Sequence, residues 1–128
     1  MKRLSVLLAI ALLAGLPAAL SADAYDKEVV VQAMRDNVAR MSVIKNALAA
    51  QDFHAAGKAF FEYGDDAAAL AKMDPPKGSK EEWIQLWAAF QDKAFQGVGA
   101  CGDRDAAKSL EILNELGAFA MPGHSTFR

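Results

Sequence analysis

Two histidines and a set of methionines are the side chains in this sequence that are best suited to bind a soft transition metal. Imidazole nitrogen and thioether sulfur are ligands that copper accepts. Methionine is also a flexible filler of helical cores, so a core role stays open for the same residues. No nucleophile and general base form a pattern typical of hydrolases, and we expect no enzymatic activity. The soft donors are Met34, Met41, His54, Met73, Met121 and His124.

The last nine residues place one of these histidines in a motif with a more specific chemistry. They are Ala120-Met-Pro-Gly-His124-Ser-Thr-Phe-Arg128. In the haem-attachment motif Cys-x-x-Cys-His, the two cysteines form thioether bonds and the histidine is the iron ligand. Here Ala120 and Gly123 stand at the cysteine positions, and Cys101, the only cysteine, lies outside the motif. The motif therefore predicts a histidine ligand for a non-covalent, b-type haem.

Helical periodicity dominates the chain, and the first helical segment, about residues 26–49, contains Met34. Its apolar positions recur at spacings of three and four residues, which predicts one face packed against other helices. Val31 and Val38 are expected to widen this face, so that Met34 lies near its middle. The face has one polar member, Asn37. Its residues are Val30, Met34, Asn37, Met41, Ile44 and Leu48.

Local signals bound the second and third helices. The second, about residues 52–72, begins at Asp52 as N-cap and ends before the paired prolines that follow, because prolines cannot continue a helix. The third begins at Ser79, which forms a capping box with Glu82. It is expected to end among the glycines of residues 97–102, which are typical of a helix C-terminus.

The fourth helix is expected to begin after Asp103 as N-cap and to lead towards the terminal motif. Extending its apolar spacing by four residues reaches His124, which would point into the bundle if the helix persists. Pro122 opposes this extension, because it removes a backbone donor and clashes with the carbonyl of Ala118. The helix is therefore expected to kink or stop near Ala120. Its apolar face is Ala106, Leu110, Leu113, Gly117 and Ala120.

Four amphipathic helices joined by short loops predict an all-α fold, an antiparallel up-down-up-down four-helix bundle. The first and fourth helices are antiparallel neighbours in this topology, so Met34 and His124 approach the same end of the core. Gly117 and Ala120 remove side-chain volume beside the histidine, which suits either a flat macrocycle or close helix packing. Histidine and methionine together are an axial pair of low-spin haem iron.

The N-terminal residues are typical of a secretory signal peptide. A basic start and a long apolar run precede Ala22-Asp-Ala24, which fits a cleavage site. We expect a signal peptide over residues 1–24, a periplasmic domain over residues 25–128, and no membrane association after cleavage; an uncleaved anchor is the alternative. The mature chain would carry twelve basic and fifteen acidic residues, a net charge of −3. This charge disfavours nucleic acid as a partner.

Three stretches share a pattern with a known protein family. They are the ending Gly117-Ala-Phe-Ala-Met-Pro-Gly-His124-Ser-Thr-Phe127-Arg128, the run Met34-Arg-Asp-Asn-Val-Ala-Arg-Met41-Ser-Val-Ile44-Lys-Asn-Ala47, and Trp87-x-x-Phe90 with the Gly102-Asp103 turn. In these stretches the chain resembles the cytochrome c′ family and its relative, the soluble periplasmic four-helix cytochrome b, which binds haem without thioethers. The ending is the most specific of the three.

The resemblance implies a protein that binds haem between the first and fourth helices for electron transfer or haem-linked ligand sensing. It assigns His124 as proximal ligand, Met34 as sixth ligand and Arg128 as partner of a haem propionate, with Gly117 and Ala120 beside the haem. It also implies a redox partner protein and a homodimer. The lost cysteines leave an alternative, a haem-free descendant that serves as a structural, interaction or soft-metal-binding bundle.

Overall fold

The computed structural model describes residues 24–119, and within them the chain forms four α-helices and no strand. The helices are α1 (Lys27–Ala49), α2 (Phe53–Ala71), α3 (Lys80–Gly102) and α4 (Ala106–Ala118). Each helix packs against the next along the chain, and α1 also packs against α4. Short connections make consecutive helices antiparallel. The predicted all-α four-helix bundle is therefore confirmed.

The caps of α2 and α3 lie at the predicted residues. The side chains of Asp52 and Ser79 each accept a hydrogen bond from the backbone N–H three residues later, at 3.0 and 3.2 Å. Asp26 caps α1 in a similar way. These bonds satisfy backbone donors that the first helical turn leaves without partners.

The turn between α3 and α4 differs from its prediction. Asp103 is not the N-cap of α4; the cap is Asp105, whose carboxylate accepts a backbone N–H at 2.9 Å. The shift arises because α3 continues to Gly102, so the chain needs two more residues to reverse its direction. Arg104, not a glycine, takes the left-handed conformation there, with a φ of 56°.

The buried face of α1 is rotated from the predicted one. Val31 and Val38 are 37% and 68% exposed, whereas Ala33 and Ala47 are buried. Ala33 lines a cleft shared with α2, so the small side chains turn towards that helix. Met34 consequently lies at the margin of the buried face, partly buried and packed against the core, and not in its middle.

The buried face of α4 is also rotated. Leu110, predicted to be buried, is 43% exposed, and the polar Ser109 is buried instead. Ser109 tolerates burial because its hydroxyl donates a hydrogen bond to the Asp105 carbonyl at 2.7 Å. The helix has 13 residues, fewer than the roughly 18 expected for a full bundle helix. Its buried residues are Ser109, Ile112, Leu113 and Leu116.

The export predictions concern a different part of the chain. The signal peptide and its cleavage site lie almost wholly outside the described residues. Among residues 24–119, no helix is long and apolar enough to span a membrane.

Candidate functional site

The predicted site residues divide into two groups. Met34 and Gly117 lie in the described part of the chain, on α1 and α4 respectively. Ala120, His124 and Arg128 lie outside it, so their placement stays a prediction.

Gly117 marks a close approach between α4 and α1. A Cβ atom at this glycine would lie 3.3 Å from Cε of Met41. The missing side chain therefore admits the Met41 methyl group, and the contact supports the packing interpretation of Gly117. The predicted place of Gly117 beside a haem stays a prediction.

Met34 lies on the first half of α1, at the end of the bundle where α1 and α3 start and α2 ends. We call this the Met34 end. Met34 and Trp87 each lie seven residues after the first residue of a 23-residue helix. They are therefore at a similar depth, about 10 Å from the Met34 end.

An aromatic cluster forms the core between Trp87 and the end of α4. The ring centroids of Trp83 and Trp87 are 5.4 Å apart, and those of Trp87 and Phe90 are 5.2 Å apart. Phe90 lies 6.1 Å from Tyr63 of α2 and 5.1 Å from Phe119, the C-cap of α4. Such ring pairs stabilise a core beyond the area that they bury. The cluster thus joins α2, α3 and α4.

The two tryptophans of this cluster differ in their hydrogen bonds. Nε1 of Trp83 donates to the carbonyl oxygen of Leu70 at 3.0 Å. Nε1 of Trp87 is buried and has no acceptor among the described residues. A buried donor without an acceptor costs about 1–3 kcal/mol. No local sequence signal separates these two residues, so sequence reasoning missed the difference.

Asn37, the polar member of the α1 face, is buried within an ionic network. Its side-chain oxygen accepts a hydrogen bond from Nη1 of Arg40 at 3.0 Å. Arg40 also pairs with Asp66 and lies 3.7 Å from a carboxylate oxygen of Glu62, both on α2. Burial raises the pKa of Tyr63 nearby, and Arg40 lowers it to a smaller extent. The network fastens α1 to α2 and has a structural role.

The structure separates the soft donors proposed for copper. His54 is exposed at the start of α2, and Met73 lies just beyond its end. Met73 follows His54 by 19 positions, and the part of α2 from His54 to Ala71 alone covers about 25 Å of helix. These two residues cannot bind one ion. Residues 24–119 also contain no group of three or more His, Cys, Asp and Glu side chains that could hold a metal.

Cys101 is enclosed in the last turn of α3. Its Sγ lies 3.6 Å from Oγ of Ser109. Burial raises the pKa of the Cys101 thiol, and the contact with Ser109 lowers it by less. The thiol therefore remains protonated and shielded at neutral pH.

An exposed aromatic pair lies on the outer surface of α2 and α3. The rings of Phe61 and Phe95 stack with centroids 5.9 Å apart, although their residues are 54% and 41% exposed. Beside Phe61, an open cleft of about 480 Å³ includes the basic residues Lys58 and Arg104 and the imidazole of His54. This surface lies away from the Met34 end, and sequence reasoning missed it.

Comparison of the chain with protein-family models, curated proteins and solved structures finds no match. The functional interpretation accordingly depends on the residues described above.

Proposed function

We propose that this protein binds haem non-covalently at the Met34 end, with His124 and Met34 as the residues that would hold the iron, for electron transfer or haem-linked ligand sensing. The observation that carries the proposal is the Met41–Gly117 contact, which fixes the register of α1 and α4. Met34 precedes Met41 by seven residues, and His124 follows Gly117 by seven. A helical continuation of α4 in this register would bring the two ligands level.

A non-helical path from α4 to His124 is also compatible with the proposal. His124 follows Phe119 by five positions, and five residues of extended chain span up to about 17 Å. Two turns of helix along α1, from Met41 to Met34, cover only about 10 Å. The imidazole is therefore within reach of Met34 even if Pro122 ends the helix.

The donors at the Met34 end fit a haem. Met34 offers a soft thioether sulfur, the rings of Phe90 and Phe119 offer apolar surface, and Trp87 offers an N–H that has no acceptor among the described residues. Arg128 would contribute a guanidinium group, which binds carboxylates with paired hydrogen bonds. Because Met41 fills the space at Gly117, the proposed site lies on the Met34 side of Met41.

When bound, the haem would supply a one-electron iron couple, and histidine–methionine ligation raises its reduction potential. His124 and Met34 would hold the iron, and the surrounding helices would exclude water. Export directed by residues 1–24 would place the domain in the periplasm, where electron transfer requires a redox partner protein.

Protein purified from a periplasm supplied with haem tests this proposal. We expect haem b that pyridine extracts, and a Soret band that moves on reduction. Met34→Leu should convert the bound iron from low-spin to high-spin. Met41→Leu, seven residues away on the same helix, should leave it low-spin. An unchanged low-spin spectrum in Met34→Leu would remove Met34 from the ligand set.

A haem-free interaction module is the second candidate, and the exposed Phe61–Phe95 stack favours it. Stacked rings facing solvent beside basic side chains are typical of a protein-binding surface. In this case the protein would leave the haemin spectrum unchanged. Sedimentation would detect a homodimer, and Phe61→Asp would dissociate it. The separation of His54 from Met73 disfavours the soft-metal variant.

A further inference from the structure

Trp83 and Trp87 form a natural comparison, because they lie one turn apart on α3 and are each 3% exposed. Leu70 on α2 supplies a carbonyl acceptor to Trp83 at 3.0 Å. Residues 24–119 supply no acceptor to Trp87. Two equally buried indoles in one cluster therefore differ in whether a described residue accepts a hydrogen bond from the indole N–H.

The missing acceptor of Trp87 requires a physical explanation. Folded proteins pair nearly all of their buried donors, and an indole N–H removed from water without a partner destabilises the fold. The Nε1 atom of Trp87 has essentially no contact with solvent, so bulk water does not satisfy it. Residues 24–119 do not supply the acceptor, so it comes either from the rest of the chain or from a guest that enters the core.

The position of Trp87 indicates where such a group would enter. Its ring contacts Phe90, which in turn contacts Phe119 at the end of α4. Its depth in the bundle is similar to that of Met34. The indole N–H of Trp87 thus lies at the same end of the core as Met34, the proposed haem ligand.

We infer that the indole N–H of Trp87 donates a hydrogen bond to a carboxylate of the bound guest, a propionate in the case of haem. This inference rests on the proposed function and adds a recognition residue to it. A carboxylate is a suitable acceptor, because hydrogen bonds to ionised acceptors are stronger than neutral ones and strengthen further in a low-dielectric core. The site would therefore select flat, apolar ligands that carry a carboxylate.

Nuclear magnetic resonance of the ¹⁵N-labelled indole groups tests the contact directly. The probe is zinc protoporphyrin, with its dimethyl ester as the matched ligand that lacks free carboxylates. We expect the Trp87 indole proton, assigned through Trp87→Phe, to move downfield with the free acid and to stay in place with the ester. The Trp83 indole proton should keep the chemical shift of a hydrogen-bonded proton with both ligands and without them.

Haemin titration of two variants provides a second measurement. Trp87→Phe should weaken haemin binding about tenfold, the effect of one such hydrogen bond. Trp83→Phe should leave haemin affinity within about twofold but lower the stability of the haem-free protein, because the Leu70 carbonyl loses its donor. Trp87→Phe should lower the stability of the haem-free protein less than Trp83→Phe does, because the indole N–H of Trp87 has no acceptor among the described residues.

Three outcomes would overturn the inference. If haemin binds but the Trp87 proton stays in place and Trp87→Phe binds equally well, the proposed function survives and the Trp87 contact fails. If the Trp87 proton is already downfield and protected from exchange in the haem-free protein, its acceptor belongs to the chain. If wild-type protein binds neither porphyrin, the proposed function and the Trp87 contact fail together.

Discussion

Two glycines show how single residues set the approach of α2 and α3. A Cβ atom at Gly97 would lie 2.5 Å from the ring of Phe60, which is fully buried. A Cβ atom at Gly64 would lie 2.6 Å from the ring of Phe95, which is substantially exposed. The two overlaps are nearly equal, but only the Phe95 ring can turn into solvent.

We therefore expect Gly97→Ala to lower the free energy of unfolding by about 1–3 kcal/mol, because overpacking strains a fixed core. Gly64→Ala should be close to neutral, since the helical preference of alanine, about 0.5–1 kcal/mol, offsets the rotation of Phe95. Urea unfolding of both variants measures the difference. Equal destabilisation by the two substitutions would contradict the assigned freedom of the Phe95 ring.

Cys101 allows a second prediction at the scale of one residue. Its thiol is buried and its pKa is raised by that burial, so the reactive thiolate is scarce in the folded protein. A thiol reagent at mildly alkaline pH should modify wild-type protein only as fast as the chain opens, and denaturant should accelerate the reaction. Val38→Cys in a Cys101→Ala background serves as the exposed control, because Val38 is 68% exposed. Rapid labelling of native wild-type protein would show that Cys101 is accessible.

The two turns at the end opposite Met34 are built alike. Gln51 and Arg104 both have a φ of 56°, and each directly precedes the aspartate that caps the next helix. The N–H of Asp52 bonds to the Ala47 carbonyl at 2.8 Å, and the α3–α4 turn has the equivalent bond at 3.0 Å. Glycine normally occupies such left-handed positions.

Gln51→Gly and Arg104→Gly should each raise the free energy of unfolding by about 0.5–1 kcal/mol. The left-handed backbone costs a side-chain-bearing residue about 1–2 kcal/mol, and part of this gain is lost to the flexible unfolded state of glycine. Arg104→Val should be destabilising, because β-branched residues tolerate this conformation least. Thermal and urea unfolding provide the test, and a loss of stability in both glycine variants would contradict the turn geometry.

The bounds of three helices could be predicted because their signals are local. Capping residues, paired prolines and apolar spacing define α1, α2 and α3 closely. The start of α4 could not be predicted, because Arg104 takes the left-handed conformation where a glycine would normally signal the turn. Its buried face was predicted wrongly because Ser109 is polar and yet satisfied by Asp105.

The candidate site is harder to predict than the helix bounds, because it depends on how the helices pack against one another. Met34 was predicted from the sequence, but Met41 filling the space at Gly117 requires knowledge of how α1 and α4 align. The contrast between Trp83 and Trp87 depends on the α2 carbonyl that happens to lie nearby. Apolar patterning states which helix faces are buried, not which acceptor reaches a buried donor.

For the molecule as a whole, ion pairs between helices couple stability to pH. Lys93 of α3 lies 2.6 Å from a carboxylate oxygen of Glu115 on α4. The hydrogen bond from Lys93 lowers the pKa of Glu115 below its ordinary value of 4.5. The unfolded chain therefore takes up this proton at a higher pH than the folded chain, and the stabilisation is lost as pH falls below that value.

Glu115→Gln should consequently be less stable than wild-type protein at pH 7, and the difference should shrink as the pH falls from 4.5 through the lowered pKa of Glu115. Glu111→Gln is the matched control, because Glu111 pairs with Lys108 on the same exposed face of α4 and joins no other helix. Urea unfolding across this pH range measures both. If the loss of stability in Glu115→Gln were the same in acid as at pH 7, it would be due to packing and not to charge.

The most direct measurement of the haem proposal is an optical titration of the mature, haem-free protein with haemin, using the two histidines of the chain as each other's control. Wild-type protein and His54→Ala should bind one haem per chain and develop a low-spin spectrum. His124→Ala should lose the low-spin spectrum and bind at least about tenfold more weakly. A haemin spectrum that wild-type protein leaves unchanged, or equal binding by His124→Ala, would contradict the proposed function.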